Sequence, residues 1–101
     1  MKPPERSLQD LVSIGPATLL DFNLLGIHSV KQLTRKDARQ MYRRLGRLKG
    51  TPQDICCLDV FTAAVAQAKN PELPKAQCPW WYWSRKRKAR HARRQVASHH
   101  P

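Results

Sequence analysis

The turn at residues 13–18 is the stretch of this sequence best suited to bind an anion. It lies between two short segments whose apolar residues recur at helical spacing, a pattern typical of a helix, a hairpin and a second helix. The first N–H groups of a helix have no intrahelical partner and carry the positive end of its dipole. A glycine without a Cβ lets an anionic oxygen approach them, so we predict that this hairpin binds phosphate. The predicted contact residues are Ile14, Gly15, Ala17 and Thr18.

A row of arginines at strict four-residue intervals forms a second group of candidate phosphate ligands. Like charges at this spacing destabilise an isolated helix by roughly 0.2–0.5 kcal/mol per pair, so the row calls for a compensating partner. A phosphate backbone alongside the helix would supply one, and a solvated helix face is the alternative of equal weight. The row consists of Arg35, Arg39, Arg43 and Arg47.

The segment after residue 84 carries the densest basic run of the chain. It is either a flexible tail or a helix, and in either form we expect it to contact phosphates with release of counterions. A solvated tail that only confers solubility is the alternative. The residues concerned are Arg85, Lys86, Arg87, Lys88, Arg90, Arg93 and Arg94.

The charge of the whole chain limits the class of partner. Nineteen Lys and Arg against seven Asp and Glu give a net charge of +12, and residues 73–101 hold eight basic residues and no acidic one. This balance favours a polyanion, with nucleic acid, DNA or RNA alike, as the commonest partner and an acidic membrane surface as the main competitor. No run of about 18 apolar residues is present, which disfavours a membrane protein. Residues 1–5 include no apolar signal region, so we expect a cytoplasmic protein with reduced cysteines.

The spacing of apolar residues and helix signals predicts an all-α fold of four or five short helices. We expect helices over residues 7–13, 16–25, 30–33, 34–49 and 52–69, with Gly26 and Gly50 as stop signals and Leu48 and Ile55 on apolar faces. Thr34 and the Thr51-Pro52 pair are the predicted starts of the two longest helices. Three prolines predict a linker over residues 70–79. The domain organisation is thus a compact domain over 7–83 and a basic tail over 84–101.

The cysteines and carboxylates are the residues that could support catalysis or metal binding. Cys56 and Cys57 are adjacent and cannot form a redox motif, so buried structural thiols are the favoured interpretation. A zinc site that adds Cys78 lacks any recognised ligand spacing. A glycosylase would need a placed carboxylate, for which Asp59 and Asp21 are the helix-borne candidates, and a pocket for a flipped base. We expect neither a metal site nor an enzymatic activity in so short a chain.

The aromatic cluster at residues 80–83 allows two interpretations. Its rings could stack on unpaired bases, each stack contributing about 1–3 kcal/mol. Alternatively, the indoles close a small helical core by adding apolar burial, and we favour this second interpretation.

Five motifs, in this order and spacing over residues 8–83, carry a resemblance to a known family. They are Ile14-Gly15-Pro16-Ala17, Leu24-Leu25-Gly26-Ile27 with Leu33, Met41-Tyr42 with Leu45, Cys57-Leu58-Asp59-Val60-Phe61 with Ala64-Val65, and Trp80-Trp81-x-Trp83. The chain resembles the small bacterial helix-hairpin-helix proteins known as pathogenicity-locus or mitomycin-resistance proteins. Its first half is also similar to the C-terminal domain of TfoX-type competence regulators.

The resemblance implies sequence-independent DNA binding through hairpin amides, often helped by a monovalent cation held by hairpin carbonyls. In this sequence Ala17 stands where such hairpins usually have a second glycine, and Pro16 donates no N–H. The function expected from residues and resemblance together is non-specific DNA binding, accessory to DNA repair, competence or mitomycin resistance. The alternatives are a protein-interaction module whose basic tail docks an acidic partner, and RNA binding.

Overall fold

The structure is a computed structural model that describes the backbone of residues 6–98 and the side chains up to Arg94. Within that range it is all-α, which confirms the predicted fold class. Five helices are present: α1 (Pro16–Leu24), α2 (Val30–Leu33), α3 (Ala38–Lys49), α4 (Ile55–Lys69) and α5 (Trp80–Ser98). Two short 3₁₀ turns, Leu8–Asp10 and Lys75–Gln77, precede α1 and α5. None of the described helices is long and apolar enough to cross a membrane.

Helix α4 lies at the centre and packs against α2, α3 and α5. Its buried face includes Phe61, whose ring stacks on Phe22 of α1 with centroids 5.7 Å apart. Three buried alanines on the same helix let its neighbours approach closely. The core therefore forms around α4, and every candidate site described below contains residues of α4 or lies against it.

The predicted stop signals of α1 and α3 are confirmed. Gly26 and Gly50 adopt left-handed φ angles of 74° and 70°. After α1, the N–H of Ile27 donates to the carbonyl of Phe22 (2.8 Å) and the N–H of Gly26 to that of Asn23 (3.1 Å). These two bonds form a Schellman motif, which folds Ile27 back into the core.

The predicted starts of α3 and α4 are wrong. Thr34 ends α2, because its N–H donates to the carbonyl of Val30 and its hydroxyl to that of Lys31. Helix α3 begins after Asp37, whose carboxylate accepts from the N–H of Gln40 (3.0 Å). Helix α4 likewise begins after Asp54, three residues past the expected start at Thr51-Pro52. As a consequence, Arg35 does not belong to α3.

Two side chains that were expected on apolar faces are exposed. Leu48 is 53% exposed near the end of α3, and Ile55 is 43% exposed at the first position of α4. Both lie next to the loop that joins these helices, where no further element covers them in the described part of the chain. Helical periodicity alone does not show where packing ends.

The expected first helix over residues 7–13 is reduced to a 3₁₀ turn. The N–H of Ser7 does donate to the carboxylate of Asp10 (2.7 Å), as the capping pattern predicts. Past Leu11, however, the chain leaves helical geometry, and Ser13 takes a left-handed φ of 71°. Instead of continuing its own helix, this segment is bound by α4 through the backbone of Val12 and by α5 through the Ser13 hydroxyl.

Helix α5 begins with the aromatic cluster and runs without a break through residue 84, where we placed the boundary between core and tail. Ser84 is buried, and the described side chains at 88–94 are all exposed. The last predicted tail residues, 99–101, lie outside the described range. The basic run is thus a helical extension of an element that packs on the core.

Candidate nucleic-acid interface

A groove of about 520 Å³ separates the start of α3 from the middle of α5, with α4 as its floor. We call it the α3–α5 groove. Arg39 lines it from α3, and cations of α5 line the opposite side. Leu58 and Thr62 of α4 and Trp83 of α5 supply less polar surface. The α5 groups are Lys86, Arg87, Arg90, His91 and Arg94. Cations from two elements therefore face one concave surface, as a site for a polyanion requires.

A buried ion pair fixes α5 against α4 at the edge of this groove. Nε of Arg87 donates to Oδ1 of Asp59 (2.9 Å), and its Nη2 donates to Oδ2 (3.0 Å). The Asp59 side chain is 2% exposed and that of Arg87 26%. Hydrogen bonding to the carboxylate raises the pKa of Arg87, so the guanidinium stays charged. Asp59, the carboxylate considered for catalysis, has both oxygens engaged by this arginine.

The predicted cations of α5 divide between two faces of the helix. Lys86, Arg87, Arg90 and Arg94 line the groove, while the remaining three do not. Those three, Arg85, Lys88 and Arg93, are exposed on other sides of α5. A single helix thus presents groove-facing and outward-facing cations, which can be compared at constant net charge.

The row of arginines on α3 is also divided. Arg39 alone of the four reaches the α3–α5 groove. Arg43 and Arg47 line a second depression beside the α3–α4 loop. Arg35, before the helix, borders a third depression with Arg44. The structure therefore does not present the predicted row as one continuous surface.

The segment at residues 13–18 leads directly into α1, but a 3₁₀ turn at Leu8–Asp10 precedes it in place of the expected first helix. Gly15 precedes α1 with an extended φ of −103°, and a Cβ there would meet no atom of the described chain within 4 Å. The residue of this turn with a left-handed φ is Ser13. Ala17 and Thr18 occupy the first turn of α1, where N–H groups have no intrahelical acceptor. These amides are the donors that the hairpin can offer to a ligand.

Gln67 of α4 holds the hairpin, and the sequence analysis missed it. Its side-chain carbonyl accepts from the N–H of Val12 (2.8 Å), and its amide donates to the carbonyl of Val12 (3.0 Å). The adjacent Ser13 hydroxyl accepts from the N–H of Trp80 (3.1 Å). The signal that could have found Gln67 is an amide, 5% exposed, inside the apolar run of α4.

The aromatic cluster is partly structural. Nε1 of Trp83 donates to the carbonyl of Gln77 (2.9 Å), and the Trp83 ring meets Tyr82 edge to face. The Lys86 ammonium lies 5.7 Å from the centre of the Trp83 ring and 5.1 Å from that of Tyr82. Trp81 differs from these, since it is 52% exposed. Trp83 is the aromatic residue of the cluster that lines the α3–α5 groove.

The other reactive groups have structural partners. Asp21, the second carboxylate considered for catalysis, pairs with Lys49 (2.8 Å). Cys57 is half-buried, and burial raises the pKa of its thiol to about 11. Cys56 is exposed, so the expectation that both thiols are buried is wrong for this residue. Cys78 donates weakly to the carbonyls of Leu73 and Pro74. Within the described residues, no group of three potential metal ligands occurs.

Comparison with known proteins gives two matches. The family model Cdd1, described as pathogenicity locus, matches residues 4–89. The chain is also 35% identical over 81 residues to the mitomycin resistance protein McrB of Streptomyces lavendulae, which covers 80% of this chain and 73% of that protein. No solved structure gives a significant match. The matched segment includes the hairpin, α1 to α4 and the first half of α5.

Proposed function

This chain belongs to the pathogenicity-locus family, as its motifs predict, and we propose that it binds the phosphate backbone of DNA without sequence specificity. The family name states no biochemical activity, so the support comes from the site. The observation that carries the proposal is the convergence of Arg39 and the groove-facing cations of α5 on one concave surface. Phosphate contacts of this kind supply affinity without reading bases.

The arrangement of charges around the α3–α5 groove favours side-chain cations as the main contact with DNA. Helices α3 and α5 contain no acidic residue, so their potentials add at the groove. Asp37 and Asp59 line it, but Asp59 is neutralised by Arg87 and Asp37 caps α3. The exposed ends of Lys86 and Arg90 can exchange hydration and counterions for phosphate oxygens at small cost.

The hairpin is proposed as a second, weaker contact. Gln67, which holds it, lies eight residues from Asp59 on α4, a distance of about 12 Å along the helix axis. A nucleic-acid backbone that contacts the hairpin would meet the free amides of Ala17 and Thr18 at the start of α1. Contacts from both regions together would give a dissociation constant on the order of 10⁻⁴ to 10⁻⁶ M at physiological salt.

The proposal is tested with two double variants that remove the same charge from different faces of α5. One is Lys86→Gln with Arg90→Gln in the groove, and the matched control is Arg85→Gln with Lys88→Gln outside it. Binding to a labelled DNA oligonucleotide is measured by anisotropy at several salt concentrations. We expect the groove variant to reduce the slope of log K against log salt by about 2, with a smaller change for the control.

Two outcomes contradict the proposal. Equal losses in both variants would show that net charge alone attracts DNA and that the groove is not the site. Absence of binding by the unmodified chain would reject nucleic acid as the ligand. The protein-interaction candidate would then lead, and one observation favours it independently: α1 exposes Leu20 (67%) and Leu24 (52%), one helical turn apart.

The name of the Streptomyces relative connects that protein with mitomycin resistance. We propose an accessory role of the same kind for this chain, with DNA repair and competence as the other settings considered. Survival of bacteria that produce this chain is compared with and without mitomycin. The groove double variant should lose any protection, and the control double variant should retain it.

A further inference from the structure

We infer that the α3–α5 groove takes an unpaired nucleic-acid strand, with a base placed against the Trp83 ring. The inference rests on the proposed function and adds the form of nucleic acid that the site accepts. It combines three features of the groove: its size, its aromatic residue and the position of Lys86.

The size of the groove favours a single strand over a duplex. A volume of about 520 Å³ is that of a pocket for a small ligand, so it accommodates about one or two nucleotides. A double helix would contact only its rim. An unpaired strand can enter, because its backbone bends and its bases separate from their neighbours.

Trp83 adds an aromatic surface to the groove, which binding of phosphates alone does not require. Because its indole N–H is engaged by the carbonyl of Gln77, the ring is fixed in orientation while it still lines the groove. A fixed aromatic ring beside cations is the arrangement on which single-stranded bases stack, irrespective of sequence. In a duplex, both faces of each base are already covered by neighbouring bases.

Lys86 links the aromatic and the ionic part of the site. Its ammonium lies over the rings of Tyr82 and Trp83, where the cation–π attraction holds it in the absence of a ligand. A base that stacks on Trp83 would displace this ammonium, which can then pair with the phosphate of the same nucleotide. The groove can therefore exchange its internal cation–π contact for one stacking contact and one ionic contact.

The test compares single strands with a duplex of equal phosphate number. The probes are oligothymidylate, oligouridylate and a hairpin duplex DNA, each labelled with fluorescein, and the two single strands distinguish DNA from RNA as the source. We expect the full chain to bind at least one single strand about tenfold tighter than the duplex. Trp83→Leu should lower that affinity about tenfold and duplex affinity much less, whereas Trp81→Leu, the matched control outside the groove, should have a much smaller effect on single-strand affinity.

A second measurement keeps Trp83 in place. In a chain with Trp80→Phe and Trp81→Phe, Trp83 is the single tryptophan, and its emission should be quenched by the single strand and not by the duplex. Three outcomes would overturn the inference: unchanged emission, duplex affinity equal to or above that of both single strands, or equal losses from Trp81→Leu and Trp83→Leu. Duplex binding would still support the proposed function in each case. Failure of all three probes to bind would overturn both.

Discussion

The hairpin and the α3–α5 groove can both contact phosphates, but they are built from different groups. The hairpin offers backbone amides, and its shape depends on the neutral side chain of Gln67. The groove offers the charged ends of Arg39, Lys86 and Arg90 and depends on the ion pair between Asp59 and Arg87. The hairpin contributes fixed backbone donors with little charge, and the groove contributes mainly charged side chains.

This difference separates the two regions experimentally. Ionic contacts weaken steeply as salt rises, because each one releases a counterion, whereas amide contacts in a fixed turn change much less. A ligand that uses both regions should bind at high salt with the residual affinity of the hairpin. Variants that damage one region alone can therefore be assigned by the salt dependence that remains.

The largest expected effect comes from Arg87→Ala at the groove. The Asp59 carboxylate, whose side chain is 2% exposed, would lose its ion-pair partner. Loss of one member of a buried pair costs about 3–5 kcal/mol, and we expect the lower end because Arg87 is 26% exposed. Urea unfolding followed by circular dichroism measures the change, with Arg90→Ala as the control that stays within about 0.5 kcal/mol. A loss no larger than that of the control would show that the pair does not hold α5.

Gln67→Leu tests the corresponding anchor of the hairpin. The leucine keeps much of the buried volume, but the N–H and carbonyl of Val12 lose their partners. We expect a loss of about 1–2 kcal/mol, since Val12 lies at the surface and water replaces part of the interaction. Gln40→Leu on the exposed side of α3 is the control. If both variants unfold at the same urea concentration, the hairpin does not depend on α4.

Substitutions at two glycines test whether the hairpin contacts DNA. Gly15 lies in the hairpin, and Gly50, which ends α3, is the reference for stability. Gly50→Ala should cost about 1 kcal/mol, because φ is 70° at that position. Gly15→Ala should change stability by less than about 0.5 kcal/mol, since its φ is extended and a Cβ fits. A lower DNA affinity at high salt in Gly15→Ala would then report the approach of the ligand to the hairpin. Unchanged high-salt affinity would assign all binding to the groove.

The smallest expected effect is a difference in reactivity between two thiols. It shows whether a substitution at the groove also disturbs the packing around Cys57. With a pKa of about 11, Cys57 is ionised at pH 8 to roughly one part in a thousand, and its thiolate fraction rises only as the pH approaches 11. Exposed Cys56 should therefore react faster with iodoacetamide at pH 8, measured by mass spectrometry.

In Arg87→Ala, continued protection of Cys57 would mean that α5 loosens while the packing of α1, α3 and α4 persists. Equal reaction of both thiols in the unmodified chain would contradict this burial of Cys57. The variant Cys56→Ser isolates the reaction of the buried thiol.

The predictable parts of the fold are those that local chemistry determines. Gly26 and Gly50 mark helix ends because the backbone there needs a left-handed φ. Helix starts were less predictable, since Thr34 and Asp37 are both good caps and only the packing of α2 selects between them. The long-range anchors had no local pattern at all: Val12 and Gln67 are 55 residues apart, and Asp59 and Arg87 are 28 apart.

The sequence predicts which residues form the candidate site better than it predicts how they are arranged in space. Charge counting identified the cations of α5 correctly as a concentrated group, but it could not separate Lys86 from Arg85, which differ in the face they occupy. The direction of each side chain follows from the angle at which Arg87 fixes α5 on α4. That angle depends on tertiary contacts, and the four-residue spacing on α3 therefore predicted a surface that the fold does not form.

The 19 residues of helix α5 span about 28 Å. Its buried residue Ser84 and its ion-paired residue Arg87 both lie within the first half of the helix. Like charges at helical spacing on α5, such as Lys86 and Arg90, repel one another in the absence of a ligand. A bound polyanion would screen this repulsion, so binding at the groove should also stabilise the helical conformation of α5.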